Sequence, residues 1–115
     1  MHTLPPSTPR LAGVDSLPGQ RHTLHLADGT AVALVHLAGP PPVPGAGSPT
    51  PLLVVHSVNA VASAHEMAPV VLRQSASRPV IAIDLPGFGA SAHADRAHTP
   101  ALMQQAVAAA IAWVQ

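Results

Sequence analysis

The pattern of apolar and polar positions changes about halfway along the chain. Residues 21–38 alternate apolar with polar side chains on both sides of Asp28-Gly29, a dipeptide suited to the positive φ angles of a type I′ turn, so they predict a β-hairpin. The preceding residues 1–20 are rich in Pro, Gly and Ser without any period, and they predict a flexible N-terminal arm. The Pro- and Gly-rich residues 39–50 predict a loop.

Two continuous apolar runs mark the second half of the chain, Leu52–Val55 and Val80–Ile83. Short runs without polar alternation are typical of strands that are covered on both faces. These runs alternate with helical patterns. The chain therefore predicts an α/β fold in which the two strands pair in parallel and helices cover both faces of the sheet.

Two helices are predicted in this half of the chain. Ser63 and Glu66 have the spacing of a capping box, with Ser63 at the cap. Because Pro69 would break a helix interior, we expect an irregular first turn and then a helix that begins near Pro69. A second helix is expected over residues 99–115, which open with a Thr-Pro cap and repeat apolar side chains at helical spacing: Met103, Val107, Ala110, Ile111 and Val114.

Composition and charge exclude several classes of function. The chain of 115 residues carries five Lys and Arg against five Asp and Glu, so no electrostatic attraction to nucleic acid or to an anionic membrane is expected. It has no cysteine, which rules out disulfides and thiolate metal sites. The sequence shows no signal-peptide pattern and no apolar run of membrane-spanning length, and we therefore expect a cytoplasmic protein.

Two short motifs stand at the ends of the predicted parallel strands. His56 and Ser57 follow the first strand, and the second is followed by the pattern Asp-x-Pro-Gly-x-Gly-x-Ser: Asp84, Pro86, Gly87, Gly89 and Ser91. Together these motifs resemble the N-terminal portion of the α/β-hydrolase superfamily. In that family the first strand ends in His-Gly, so Ser57 stands in place of the usual glycine, whereas the second pattern is matched at each fixed position. The resemblance covers residues 21–115 and implies that they form the N-terminal part of an α/β-hydrolase domain.

The resemblance also implies where a donor that stabilises an oxyanion would lie. In this family one backbone N–H comes from the loop after the first of these strands, aimed at the charge that develops during acyl transfer. The candidate oxyanion and substrate-binding residues are therefore Ser57, Val58 and Asn59, and the Val58 N–H is the first choice. The Asn59 amide would either face the substrate or stabilise a turn by bonding its own backbone.

The nucleophile elbow G-x-S-x-G, which in this family follows the next strand, does not occur in the sequence. The resemblance therefore implies an N-terminal fragment of a hydrolase that acts on an ester or similar bond of a small-molecule substrate. No cofactor is implied, and a fragment without the triad is expected to be inactive alone.

One edge of Leu52–Val55 would be unpaired, and an uncharged β-branched edge recruits other strands. We therefore expect self-association, or a structural role in which the chain pairs with a separate C-terminal half.

Other functions have less support in the sequence. A nucleotide-binding module is suggested by Gly87-x-Gly89-x-x-Ala92, but a loop separates these glycines from the helix that would hold the phosphate. The eight histidines lack metal-ligand spacing, and His65-Glu66 lacks the second histidine of a zinc motif.

A triad assembled within the chain is also disfavoured. It would draw on chemically suitable residues that no pattern brings together: Ser57, Ser91, His56, His93 and Asp84. Ser57 directly follows His56, and neighbouring strand residues point to opposite faces. We expect instead that Ser91 bonds loop backbone and that Asp84 anchors the Pro-Gly turn after its strand.

Overall fold

A mixed four-stranded sheet forms the centre of the fold. The structure, a computed structural model, describes residues 12–59, 61–93 and 98–115. In these ranges the sheet has the order β1-β2-β4-β3, with strands β1 (Gln20–His25), β2 (Ala31–Leu37), β3 (Leu52–Val55) and β4 (Val80–Ile83). β1 and β2 pair antiparallel, as do β2 and β4, whereas β3 and β4 are parallel. The predicted α/β class, the hairpin and the parallel pair are therefore confirmed.

Helical segments cover both faces of this sheet. Helix α1 (Ala68–Gln74) packs on one face together with two short 3₁₀ turns, Gly13–Ser16 and Ala64–Met67. Helix α2 (Pro100–Val114) packs on the other face. Near its end, Trp113 contacts His22 of β1, with ring centroids 4.8 Å apart.

The central strand β4 contributes to both layers. Its successive side chains face opposite sides, so Val80 and Ala82 pack with α1 while Ile81 and Ile83 pack with α2. All four residues are fully buried, because β4 has a paired strand on each side and a helical layer on each face.

Both predicted helices are confirmed. α1 follows a 3₁₀ turn and has Pro69 in its first turn, where the missing N–H costs no intrahelical hydrogen bond. The Thr99 side chain caps α2 by accepting from the Leu102 N–H at 3.2 Å. α2 buries a narrow stripe against the sheet: Leu102, Ala106 and Ala110.

The hairpin turn differs from the predicted type I′ turn. The Gly29 N–H donates to the Leu26 carbonyl at 2.8 Å, so the turn spans residues 26–29. Gly29 has a φ of 88°, whereas Asp28 is not in the positive-φ region. A type I′ turn needs positive φ at both central positions, so the predicted turn type is wrong. The Asp28 carboxylate instead accepts from the Thr30 N–H at 2.9 Å, a common use of Asp in turns.

Part of the predicted N-terminal arm packs against the core. Residues 1–11 lie outside the described residues, but residues 12–20 form a 3₁₀ turn and lead into β1. The side chains of Val14 and Leu17 are buried in the layer that contains α1. The prediction of a flexible arm is therefore wrong for residues 12–20, because these two apolar side chains anchor a segment that has no periodic pattern.

The buried carboxylate of Asp84 joins three separate segments. Its Oδ2 accepts from the Val14 N–H at 2.8 Å and from the Ala90 N–H at 2.9 Å. Its Oδ1 accepts from the Ala64 N–H at 2.7 Å. Hydrogen bonds to an ionised acceptor are about twice as strong as neutral ones. The prediction that Asp84 anchors the turn after its strand is confirmed, and the same carboxylate also anchors the segments that contain Val14 and Ala64.

Two glycines let the backbone approach this carboxylate closely. Gly13 and Gly89 have φ angles of 52° and 49°, in the left-handed region that favours glycine. A Cβ atom on either residue would overlap the Asp84 side chain. Glycine is therefore needed at position 89 because any larger residue would collide with the Asp84 carboxylate.

Replacing Asp84 with Asn removes an acceptor oxygen and turns an NH₂ group toward a backbone N–H. We expect Asp84→Asn to lower the free energy of unfolding by about 3 kcal/mol, or to abolish the cooperative transition. Asp15→Asn is the matched control: Asp15 forms a partly exposed ion pair with Arg21 at 2.7 Å, and such a pair contributes at most about 1 kcal/mol. Urea titration followed by fluorescence of Trp113, the single tryptophan, measures both. Equal small losses in the two variants would contradict the role of Asp84.

Candidate functional site

The carboxyl ends of the parallel strands β3 and β4 meet at one edge of the sheet. Residues 56–59 follow β3, and residues 84–93 follow β4. In open α/β sheets, ligands bind outside the carboxyl ends of the strands. These two loops carry all the site residues singled out from the sequence, and they frame the candidate site.

His56, the first residue after β3, links the two strand ends. It is buried, and its Nε2 accepts from the Leu85 N–H at 3.0 Å. Its Nδ1 lies 2.6 Å from the Ser57 carbonyl oxygen, so the proton is assigned to Nδ1 from these two partners. The ring also packs edge-on against Phe88, with centroids 5.2 Å apart. Because both ring nitrogens are engaged, His56 has no free nitrogen for proton transfer to a substrate.

The N–H and hydroxyl of Ser57 both bind the exposed carboxylate of Glu66. Glu66 Oε1 accepts from the Ser57 N–H at 2.6 Å and from its hydroxyl at 2.8 Å, and Oε2 lies 3.1 Å from the same hydroxyl. The Ser57 N–H is therefore already engaged. Ser63 caps the following 3₁₀ turn by accepting from the His65 N–H at 3.3 Å, as predicted. The capping box is nevertheless wrong for Glu66, whose side chain turns toward Ser57.

The contact with Ser57 favours the ionised form of Glu66. Hydrogen bonds from the Ser57 hydroxyl and, second, from its amide lower the pKa of the Glu66 carboxyl below the usual 4.5. A carboxyl whose folded-state pKa is lowered contributes stability above its usual pKa and loses that contribution as the pH falls through the lowered value. The contact is therefore complete at neutral pH and is released only in acid.

Val58 and Asn59 complete the loop after β3. Val58 is 65% exposed, and within the described ranges no hydrogen bond engages its N–H. Asn59 Oδ1 accepts from the Val61 N–H at 3.1 Å, and Asn59 Nδ2 donates to Ser57 Oγ at 3.0 Å. The Asn59 amide therefore stabilises its own turn, which is the second of the two roles expected for it. The Val58 N–H is open.

The glycine-containing loop after β4 uses its own backbone donors. The N–H groups of Gly87 and Phe88 donate to the carbonyls of Ala92 and Leu85 at 2.8 Å and 2.9 Å. Helix α2 begins only at Pro100. A nucleotide-binding turn needs open N–H groups and a helix that starts directly after the glycines. No helix starts directly after the glycines here, and most N–H groups in the described part of this loop are engaged, so the nucleotide-binding alternative is not supported.

The residues of the alternative triad are not assembled into one. Ser91 is buried, and its Oγ donates to the Asp84 carbonyl and accepts from the Ala33 N–H at 2.9 Å. The prediction that Ser91 bonds backbone is confirmed. His93 Nε2 lies 2.8 Å from the Gly89 carbonyl oxygen. These hydroxyl and imidazole groups therefore hold the loops in place. Neither Ser57 nor Ser91 makes a hydrogen bond to the side chain of His56 or His93 within the described residues.

An apolar groove of about 450 Å³ lies between the free edge of β3 and helix α2. Among the described strands β3 pairs only with β4, so the opposite edge of β3 opens into this groove. The predicted apolar face of α2 lines the groove without a strand against it, and no charged side chain is among the lining residues: Val55, His56, Val58, Leu85, Met103, Gln104, Val107, Ala108 and Ile111. A cavity of about 490 Å³ at the opposite end of the strands, lined mainly by the proline-rich loop 39–50, carries no titratable side chain.

In the described part of the chain, no group of three or more His, Asp or Glu side chains is placed to hold a metal ion. Across the same residues, no helix is long and apolar enough to cross a lipid bilayer.

The role of Glu66 was missed from the sequence. Its spacing from Ser63 fits a local capping box, whereas its partner is Ser57, nine residues earlier. A signal was available in Ser57 itself, because a hydroxyl at a position that usually holds glycine introduces a donor that needs an acceptor.

Comparison with known proteins gives matches among solved structures but none among sequences. No protein-family model matches the sequence, and no curated protein matches it. The structure is similar to the crystal structure of an N-formylmaleamic acid deformylase variant from Pseudomonas putida S16, with a TM-score of 0.62 and 20% sequence identity. The fold is hydrolase-like. The alignment covers 82% of this chain and 33% of the deformylase, so the chain spans about a third of that enzyme's length.

Replacing His56 with Phe tests its structural role. His56→Phe keeps a ring against Phe88 but leaves the buried Leu85 N–H without its acceptor, so we expect the free energy of unfolding to fall by about 1–3 kcal/mol. His25→Phe, at an exposed position of β1, is the control and is expected to change stability by less than about 0.5 kcal/mol. Long-range ¹H–¹⁵N spectra of the wild-type chain should place the His56 proton on Nδ1. A proton on Nε2 would contradict the assigned geometry.

Proposed function

We propose that this chain supplies the oxyanion-binding side of an α/β-hydrolase site that acts on an ester or similar bond of a small-molecule substrate. The observation that carries the proposal is the open Val58 N–H at the carboxyl end of β3, in a fold similar to that of a deformylase over 82% of the chain. A fixed backbone N–H in this position is the kind of group that stabilises the charge on a developing oxyanion.

The nucleophile and its base would come from outside this chain. His56, Asp84 and Ser91 hold loops together, and the sequence contains no G-x-S-x-G elbow. An acyl-transfer reaction still needs an activated nucleophile. We therefore propose that the chain acts as the N-terminal part of a hydrolase and is inactive alone.

Substitution at Val58 tests this proposal in the full-length hydrolase that we propose as the parent. Val58→Pro deletes the backbone donor and is expected to lower kcat by about a hundredfold to a thousandfold. Asn59→Ala, which removes only the side-chain support of the turn, is expected to have a much smaller effect. Circular dichroism confirms that both variants fold.

Two results would contradict the proposed function. One is full activity of a folded Val58→Pro variant, which would remove Val58 from the site. The other is hydrolysis of p-nitrophenyl acetate by the isolated chain above the rate in buffer, with loss of that turnover in Ser57→Gly. That outcome would show a local nucleophile in this chain.

A structural pairing role is the second candidate, and the groove beside β3 favours it. In a parallel strand pair alternate residues bond the neighbouring strand, and the Leu52 N–H donates to the Pro79 carbonyl at 2.9 Å. By this alternation Leu53 and Val55 direct their N–H groups to the free edge. We propose that a strand from a separate C-terminal half, or from a second copy of the chain, pairs with this edge.

Hydrogen exchange and size-exclusion chromatography test the pairing role. In the isolated chain at low concentration we expect rapid exchange at Leu53 and Val55 and protection at Leu52 and Val54, which face β4. Protection at Leu53 and Val55 should increase with concentration as the chain associates. Val55→Lys should weaken the association, and Val61→Lys, at a site that is 91% exposed, should leave it unchanged. A monomer at every concentration with all four amides protected would contradict the proposal.

A further inference from the structure

The loop that carries the Val58 N–H is held on both sides by one connected set of hydrogen bonds. The Glu66 carboxylate binds the N–H and the hydroxyl of Ser57. The same hydroxyl accepts from Asn59 Nδ2 at 3.0 Å, and Asn59 Oδ1 accepts from the Val61 N–H at 3.1 Å. Val58 lies between Ser57 and Asn59 and contributes no hydrogen bond to this set within the described residues.

The hydroxyl of Ser57 is the connecting group. A hydroxyl can donate one hydrogen bond and accept others, so it can bind the carboxylate and the Asn59 amide at the same time. Glycine at this position would keep the N–H bond to Glu66 but would lose the connection to Asn59. The Glu66 carboxylate is therefore connected to Asn59 only through the hydroxyl of Ser57.

Glu66 connects this set to another element of the fold. It belongs to the 3₁₀ turn Ala64–Met67, whose Ala64 N–H donates to the buried Asp84 carboxylate at 2.7 Å. The turn is thereby fixed to the end of β4, and through Glu66 it fixes the end of β3. The Glu66 carboxylate is exposed, so its charge is screened by water and salt, while its hydrogen bonds act at contact distance.

We propose that Glu66 is a positioning residue for the Val58 backbone donor. By binding both donors of Ser57 it restrains the peptide that presents the Val58 N–H, and it does not itself contact substrate. A donor that is fixed before the reaction stabilises developing charge without reorganisation. The importance of this role for catalysis rests on the proposed function, whereas the restraint itself is a property of the isolated chain.

NMR of the ¹⁵N-labelled chain with Glu66→Gln tests the restraint. In the wild-type chain the Ser57 amide proton should shift upfield on acidification, in a single step below the usual carboxyl range. In Glu66→Gln this step should be absent. The backbone order parameter of Val58 should fall from about 0.85, the value of a rigid amide, to about 0.6 or less in the variant. Ser57→Gly should loosen Asn59 and Val61, and adding Glu66→Gln to it should change those two residues no further.

Two controls separate Glu66 from other ionisable side chains nearby. His56 contacts the Ser57 carbonyl, and His65 lies on the same turn as Glu66. Shifts caused by either histidine should persist in Glu66→Gln. Asp15→Asn removes a partly exposed carboxylate that pairs with Arg21 rather than with Ser57, and it should leave the Ser57 titration unchanged.

The inference and the proposed function can fail separately. A Ser57 amide that shows no titration step in acid in the wild-type chain would overturn the inference without any variant. An unchanged Val58 order parameter in a folded Glu66→Gln variant would also overturn it. If Val58 loosens in that variant while the parent hydrolase with Val58→Pro keeps full activity, the restraint by Glu66 is supported and the proposed function is contradicted.

Discussion

The buried carboxylate of Asp84 is the constraint on which the surroundings of the strand ends depend. A carboxylate removed from water must have its lone pairs satisfied, and here three backbone N–H groups satisfy them: those of Val14, Ala64 and Ala90. These donors come from the N-terminal 3₁₀ turn, from the turn before α1 and from the loop after β4. Segments that are distant in sequence are therefore brought together around the end of β4.

The polar groups near the strand ends divide into two sets. His56 and Ser91 have their donors and acceptors engaged in linking β3, β4 and β2, so they hold the loops rather than perform chemistry. The loop of residues 56–59 is different, because no hydrogen bond within the described residues engages the Val58 N–H, and Val58 lines the groove beside α2. Glu66 binds Ser57 in this loop and lies on the 3₁₀ turn whose Ala64 N–H donates to the buried Asp84 carboxylate.

Much of the fold could be predicted from local patterns. The strands at Leu52–Val55 and Val80–Ile83 are continuous apolar runs. Val80–Ile83 is buried on both faces as such a run predicts, whereas Leu52–Val55 is an edge strand in which only Val54 is buried. Helix α2 was predictable from its Thr-Pro start. The Thr99 side chain accepts from the free Leu102 N–H of the first turn, and Pro100 has no N–H that would need a partner. The family resemblance located the loop after β3 as the candidate site, and its assignment to Val58 stays a prediction.

The features that were not predicted depend on partners far away in sequence. Val14 and Leu17 are single apolar residues in a segment rich in Pro and Gly, and only the tertiary fold supplies the surface that buries them. Glu66 satisfies a capping pattern, but the two donors of Ser57 outcompete the local N–H that the pattern would use. The hairpin turn is a local exception: the Asp28 side chain accepts from the Thr30 N–H two residues away, and Gly29 is the turn residue with positive φ.

The central claim is that Asp84 organises the strand ends, and scalar couplings across hydrogen bonds test it most directly. In a chain labelled with ¹⁵N and ¹³C, the amide nitrogens of Val14, Ala64 and Ala90 should each show a coupling to the side-chain carboxylate carbon of Asp84. The three amides should also exchange slowly with solvent. The absence of these couplings, together with fast exchange of the three amides in a folded chain, would contradict the account.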